Sequence, residues 1–129
     1  MATYKKLLKN RAGDTIIPVT DRDIYSTTEQ VVGEWIDGKP LYRVVLSGNI
    51  SSTTGTYVPT NTYNAATVDV ISCTGKLVND QNQYMQLGCY LNSSNYSGWF
   101  MSASAMTIFF PSAYNNGAYT IVIEYTKKN

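Results

Sequence analysis

Val31-Val32-Gly33-Glu34-Trp35-Ile36, then Asp37-Gly38-Lys39-Pro40, then Leu41-Tyr42-Arg43-Val44-Val45-Leu46 is the stretch whose reading decides the fold. Both flanks are rich in β-branched and aromatic residues, which fit a pleated, half-buried surface. The Asp-Gly pair between them favours a type I′ hairpin turn, where both central residues take positive φ. Pro40 directly afterwards predicts a slightly longer or bulged turn. Trp35, Asp37, Gly38 and Pro40 are therefore expected to form a structural hairpin: an aromatic core anchor, a tight turn and a proline that ends it.

Strand signals continue downstream at about residues 67–73, 76–78, 83–91, 99–110 and 118–126. Met85, Leu87, Cys89 and Leu91 alternate onto one face, and Tyr119, Ile121, Ile123 and Tyr125 do the same in the last strand. That closing strand is expected at the centre of a sheet. Residues 47–66 are nearly all Ser, Thr, Gly, Asn and Tyr, with Val58-Pro59 as the only apolar anchor, and predict a long loop or a weak edge strand. Residues 26–32 have room for one helical turn at most. Upstream, Tyr4, Leu7 and Leu8, then Asn10 to Asp14, then Thr15 to Val19 read as two short strands about a Gly-containing turn. Pro18 places the second at an edge or at its own end, because it cannot donate a ladder hydrogen bond. With Thr20 to Asp23 as polar linker, residues 1–23 form a short N-terminal arm or hairpin and residues 24–129 the main domain. The expected class is all-β: an antiparallel β-sandwich or jelly-roll-like barrel.

Composition agrees, and it excludes several functions. The chain has 129 residues, 11 of them Tyr, with 43% hydrophobic and only 15% charged residues, so strand and loop formers outweigh helix formers. A net charge of +1 supplies no field to draw a polyphosphate, so nucleic-acid binding is not expected. Lys5, Lys6, Lys9 and Arg11 read as a solvated arm. Met1 to Asn10 lacks the continuous apolar run of a secretion signal, and no stretch approaches the roughly 18 apolar residues that cross a bilayer. No membrane partner is expected. Cys73 and Cys89 have no metal spacing and read as free, buried thiols.

The absence of histidine removes the commonest general base and metal ligand. Asp37 and Asp80 make sense as turn formers, while Glu34, Asp69 and Glu124 suit outward strand positions. Asp21 and Asp23 lack the glycine and distal glutamate of a calcium loop. No enzyme, cofactor or metal is expected. Tyr, Trp, Asn and Ser are dense in the loops, as in recognition surfaces where flat rings stack at low entropic cost. Tyr57, Tyr63, Tyr96, Trp99 and Tyr114 are the expected ligand or partner contacts.

Ile24 to Arg43, including Trp35-Ile36-Asp37-Gly38-Lys39-Pro40, together with Tyr119 to Lys128, resembles the distal domain of tail-fibre-like structural proteins in phages and prophages of Gram-positive hosts. Leu7 to Asp14 with Ile17-Pro18-Val19-Thr20 is similar to the N-terminal attachment segment of fibre proteins. The resemblance implies a β-rich virion structural protein made in the host cytoplasm, a trimer acting as fibre tip, head fibre, baseplate or capsid-decoration component. It implies attachment to other virion proteins through the arm and receptor binding on host cell-surface polysaccharide, with no catalytic residues. The opening segment joins the distal domain without a shaft, which favours a compact decoration protein. Tyrosines on both faces of residues 84–91, and Phe109-Phe110, exceed what one small core buries and call for a homo-oligomer. A free carbohydrate-binding module is the alternative function.

Overall fold

The computed structural model describes residues 6–9, 15–19 and 25–128, with only the backbone of the first two segments. Its sheets are antiparallel, as an all-β chain with short polar turns requires. β1 (Lys6–Lys9) and β2 (Thr15–Val19) pair with each other, Lys6 opposite Val19. Their connecting turn and the 20–23 linker, which contains the proposed domain boundary, lie outside the described residues.

Five strands form the larger sheet. They are β3 (Gln30–Glu34), β4 (Pro40–Asn49), β6 (Val68–Val78), β7 (Tyr84–Gln86) and β12 (Ala118–Lys127), in the order β3-β4-β12-β6-β7. β12 is central, as its alternation predicts. Ile121 lies between Leu46 and Gly75, and Ile123 between Val44 and Cys73. Both isoleucines are fully buried, and each burial contributes about 1.5–3 kcal/mol. The smaller sheet has the order β10-β11-β5, from β5 (Thr56–Thr60), β10 (Gly98–Met101) and β11 (Met106–Phe109). Trp99, Met101, Met106, Ile108 and Tyr57 from this sheet and Val44, Leu77, Ile121 and Ile123 from the larger one belong to a single hydrophobic cluster. The Tyr57 and Tyr119 rings meet across it at 5.7 Å. β8 (Tyr90–Asn92) and β9 (Asn95–Tyr96) form a separate small hairpin.

Several boundaries depart from the sequence reading. Residues 67–73 and 76–78 are one continuous strand, since Gly75 pairs with Ile121 without interrupting the ladder. The expected strand over 83–91 is broken by a turn at Leu87-Gly88, so Met85 and Leu87 are buried while Leu91 points out, 68% exposed. Residues 99–110 fold back on themselves as β10 and β11. The polar stretch does supply an edge strand, β5, with Pro59 at the position an edge permits. No helix forms over 26–32; a single 3-10 turn, Ser112–Tyr114, is the helical segment among the described residues.

The β3–β4 hairpin forms with a different turn from the one expected. Gly38 N–H donates to the Trp35 carbonyl at 2.9 Å, Trp35 N–H to the Lys39 carbonyl at 2.8 Å, and Lys39 N–H to Asp37 Oδ1 at 3.0 Å. Gly38 alone takes positive φ, at 89°, while Asp37 does not. This is a β-turn followed by a left-handed glycine, the longer loop that Pro40 signalled, and not a type I′ pair. Trp35 is also corrected: it is half-buried and stands outside the hydrophobic core, because it lies past the end of the edge strand β3, where its N–H and carbonyl close the turn. Gly38→Val is expected to lower stability by about 1–2 kcal/mol, because a β-branched residue resists the left-handed region. Equilibrium urea unfolding beside Ile36→Val, at the exposed turn tip, would measure it.

Candidate functional site

Two surface regions combine chemistry with exposure. The first is an aromatic face. No Asp, Glu, Lys or Arg occurs from Gln81 to Ile123 or from Val44 to Val68, so β5, β8, β9, β10 and β11 are entirely uncharged. On the outward side of the smaller sheet, Gly98 pairs with Phe109 and Phe100 with Thr107. The Phe109 ring lies over Gly98, where an added Cβ would approach it to 2.4 Å, so only glycine admits the ring. Tyr96 meets Phe109 at 5.9 Å, and Tyr90 meets Tyr96 at 6.3 Å. Tyr90 and Leu91 are about 70% exposed and Phe100 about half exposed. The result is a contiguous row of rings on an uncharged sheet. Ser97 closes the hairpin and ties it to β7 of the larger sheet: its N–H donates to the Cys89 carbonyl at 2.7 Å and its hydroxyl to the Gln86 carbonyl at 2.6 Å.

The second region is a cleft of about 190 Å³ lined by Glu29, Thr62, Tyr63, Thr67, Val68 and Lys127. It sits where β12 ends and β6 begins. Tyr125, fully buried, donates its hydroxyl to Glu29 Oε2, and Lys127 Nζ lies 2.8 Å from Glu29 Oε1. Tyr125 is stacked on Tyr42 at 5.6 Å and tilted against Tyr63 at 5.3 Å, while Lys127 Nζ lies 4.4 Å above the Tyr42 ring. Asn64 shapes the adjoining loop: its side chain donates to the Asn61 carbonyl at 2.9 Å and accepts from Ala66 N–H at 3.0 Å, and its carbonyl accepts from Val68 N–H at 3.0 Å. Lys128 ties that loop to the end of β12 through its N–H to the Thr67 carbonyl at 3.0 Å and its Nζ to the Ala65 carbonyl at 2.6 Å.

The five expected contact residues separate. Tyr96 lies on the aromatic face and Tyr63 in the cleft. Tyr57 and Trp99 are half-buried and packed on the core. Tyr114 is corrected: it is buried within the core and unavailable to a ligand, because the 3-10 turn folds its ring inward. Glu29, Tyr125 and Lys127 were missed by sequence reasoning. Glu29 and Tyr125 are 96 positions apart, and no local pattern announces their pairing. Leu91 was assigned to the buried face because the period-two count ran through Gly88, and Phe100, on β10, was missed because aromatic contacts were sought in the loops. Cys73 and Cys89 are free thiols, half-buried where full burial was expected. No group of three potential metal-ligating side chains occurs among the described residues.

Glu34 and Asp69 are exposed on their strands, and Glu124 takes the outward position expected of it, accepting from Arg43 Nε at 2.8 Å and Nη2 at 2.6 Å. Arg43 also lies 4.3 Å over the Tyr25 ring. The pair is largely shielded from solvent, its side chains 11% and 24% exposed. No family model, curated protein or solved structure matches the chain.

Four groups that hold their protons more tightly in the fold set an alkaline limit to stability. Burial pushes the Cys73 thiol up to about 12. Burial, then the hydrogen bond to Glu29, holds the Tyr125 hydroxyl well above the ordinary phenol range; burial, then Tyr57, raises Tyr119; and the bond to Glu29 raises Lys127. All four keep their protons in the native state beyond the pH at which the unfolded chain releases them. They therefore add no pH dependence below the ordinary thiol value of about 8.5, and stability falls above it as the unfolded state deprotonates first. Melting temperatures measured from neutral pH upward should begin to drop near pH 8.5, whereas Cys73→Ala should delay the drop to about pH 10, where tyrosine and lysine titrate.

Proposed function

We propose that this protein is a non-catalytic structural component of a bacteriophage particle, assembling through the aromatic face of Tyr90, Tyr96, Phe100 and Phe109. The observation that carries the assembly role is that face itself. Its exposed rings stand on strands without a single charge, the composition of an interface core, where charged residues are depleted and aromatic ones enriched. A soluble monomer rarely leaves so contiguous an apolar surface uncovered. The partner proposed is another copy of the chain, because an uncharged face packs on an uncharged patch of a neighbouring copy without repulsion. The likeness of residues 24–43 and 119–128 to phage structural proteins supports the virion setting and a threefold assembly.

Light scattering on the purified chain should give a small multiple of 14.3 kDa at micromolar concentration, three copies on the family likeness. Phe100→Lys should shift the assembly midpoint at least about tenfold upward in concentration, because it buries an unpaired charge at the contact. Wild type that remains monomeric at about 100 µM, a dissociation free energy weaker than about 5.5 kcal/mol, would remove the assembly reading. Mass spectrometry of purified particles tests the virion setting separately.

A further inference from the structure

We propose that the cleft between Glu29, Tyr63 and Lys127 is a binding site for one neutral pyranose ring, a function separate from assembly. Size is the first constraint. At about 190 Å³ the cleft falls below the roughly 300–1,000 Å³ of sites that enclose larger ligands, and it accepts one ring-sized unit. Its lining supplies the two surfaces such a ring presents. Tyr63, half-buried and braced against Tyr125, offers an aromatic face to the apolar C–H side of a sugar, and Val68 closes the floor.

The polar groups fit the hydroxyls. Each oxygen of Glu29 receives one protein donor, from Tyr125 and Lys127, and a carboxylate oxygen has a further lone pair to accept a sugar hydroxyl. Lys127 Nζ carries three donors, one of them spent on Glu29. Thr62 Oγ1 makes no hydrogen bond among the described residues. The Thr67 hydroxyl, engaged with Asn64 at 3.2–3.3 Å, retains acceptor capacity toward a ligand.

Charge decides between ligand classes. Glu29 and Lys127, the two charged side chains that line the cleft, neutralise one another across 2.8 Å, while the nearby ammonium groups of Lys128 and Lys39 are held on the Ala65 and Lys127 carbonyls. An anionic ligand meets the carboxylate and a cationic one the ammonium, whereas a neutral polyol uses both as hydrogen-bonding groups at no such cost. The loop is already held by Asn64 and Lys128, so little ordering is required on binding. A ligand of about a dozen heavy atoms, at ordinary efficiency, then binds with a dissociation constant in about the millimolar range.

Saturation-transfer difference NMR on the full chain tests this in any oligomeric state. Methyl glucoside, methyl galactoside, methyl rhamnoside and N-acetylglucosamine serve as neutral probes, with glucuronate and inorganic phosphate as charged ones. At least one neutral sugar should receive saturation on its ring protons. Thr62→Arg, which fills the cleft from an exposed position, and Tyr63→Ala should each reduce that signal at least fivefold, while Tyr63→Phe and Phe100→Lys retain it. Because Phe100 belongs to the aromatic face, retention there separates this site from the assembly reading. Silence from all four neutral sugars, a signal that survives Thr62→Arg in a folded variant, or stronger transfer to glucuronate would overturn the proposal.

Discussion

The structure depends on β12 being hydrogen-bonded on both sides. Its ladder with β4 runs from Ala118 opposite Asn49 to Tyr125 opposite Tyr42, and its ladder with β6 from Ala118 opposite Val78 to Lys127 opposite Val68. Ile121 and Ile123 are fully buried only because both neighbours are present. The partners come from residues 40–49 and 68–78, so the central pairing is wholly long-range. Loop-closure entropy must be met before these contacts form, which makes such a topology slow to nucleate and strongly cooperative once formed. The same strand builds the cleft, since Tyr125 and Lys127 are its last turns of alternation.

Charge is divided between the two sheets. Arg43, Glu124, Lys76 and Asp69 all lie on the larger sheet, where Arg43 and Glu124 pair across neighbouring strands and Lys76 lies 5.2 Å over the Tyr84 ring. The smaller sheet and the β8–β9 hairpin carry none. Their solubility rests on Ser, Thr and Asn, whose hydroxyls and amides are largely engaged in local turns, such as Asn92 accepting from Ser94 N–H at 2.9 Å and Ser52 accepting from Thr54 N–H at 3.1 Å. No charge on this sheet repels a second uncharged surface; Pro59 and the irregular register between β11 and β5 guard its edge, while its outward face carries no such device.

Much of the fold was legible because it is written in local period and turn chemistry. The alternation Tyr119, Ile121, Ile123, Tyr125 identified both the buried face and the central position of β12, and Pro18 and Pro59 sit in strands with a free edge. The turn around Asp37-Gly38 was legible in place but not in type, since a glycine at positive φ serves a type I′ turn and a longer loop equally well. Where a single residue redirects the chain, period counting failed: Gly88, at φ 92°, reversed the exposure of Leu91. The site was less legible. Tyr63 and Tyr96 were found from composition, but composition could not separate them from Tyr114, whose burial is decided by the 3-10 turn that precedes β12. Glu29 and Lys127 have meaning only after β12 brings their segments together.

The two surfaces share one physical property that sequence and fold impose jointly. The aromatic face has no charge, and in the cleft the two charges present are matched to each other at 2.8 Å and to a buried tyrosine hydroxyl. With a net charge of +1 over the whole chain, neither surface draws a partner by a long-range field. Contact at both must then depend on shape and on short-range apolar and hydrogen-bonding terms, which salt screens little. Weak individual contacts of this kind become strong only when repeated. An assembly that places several copies of the cleft side by side multiplies its effective affinity without adding a contact to any one of them. On the proposed reading, the uncharged sheet would supply the repetition and the end of β12 the unit that is repeated.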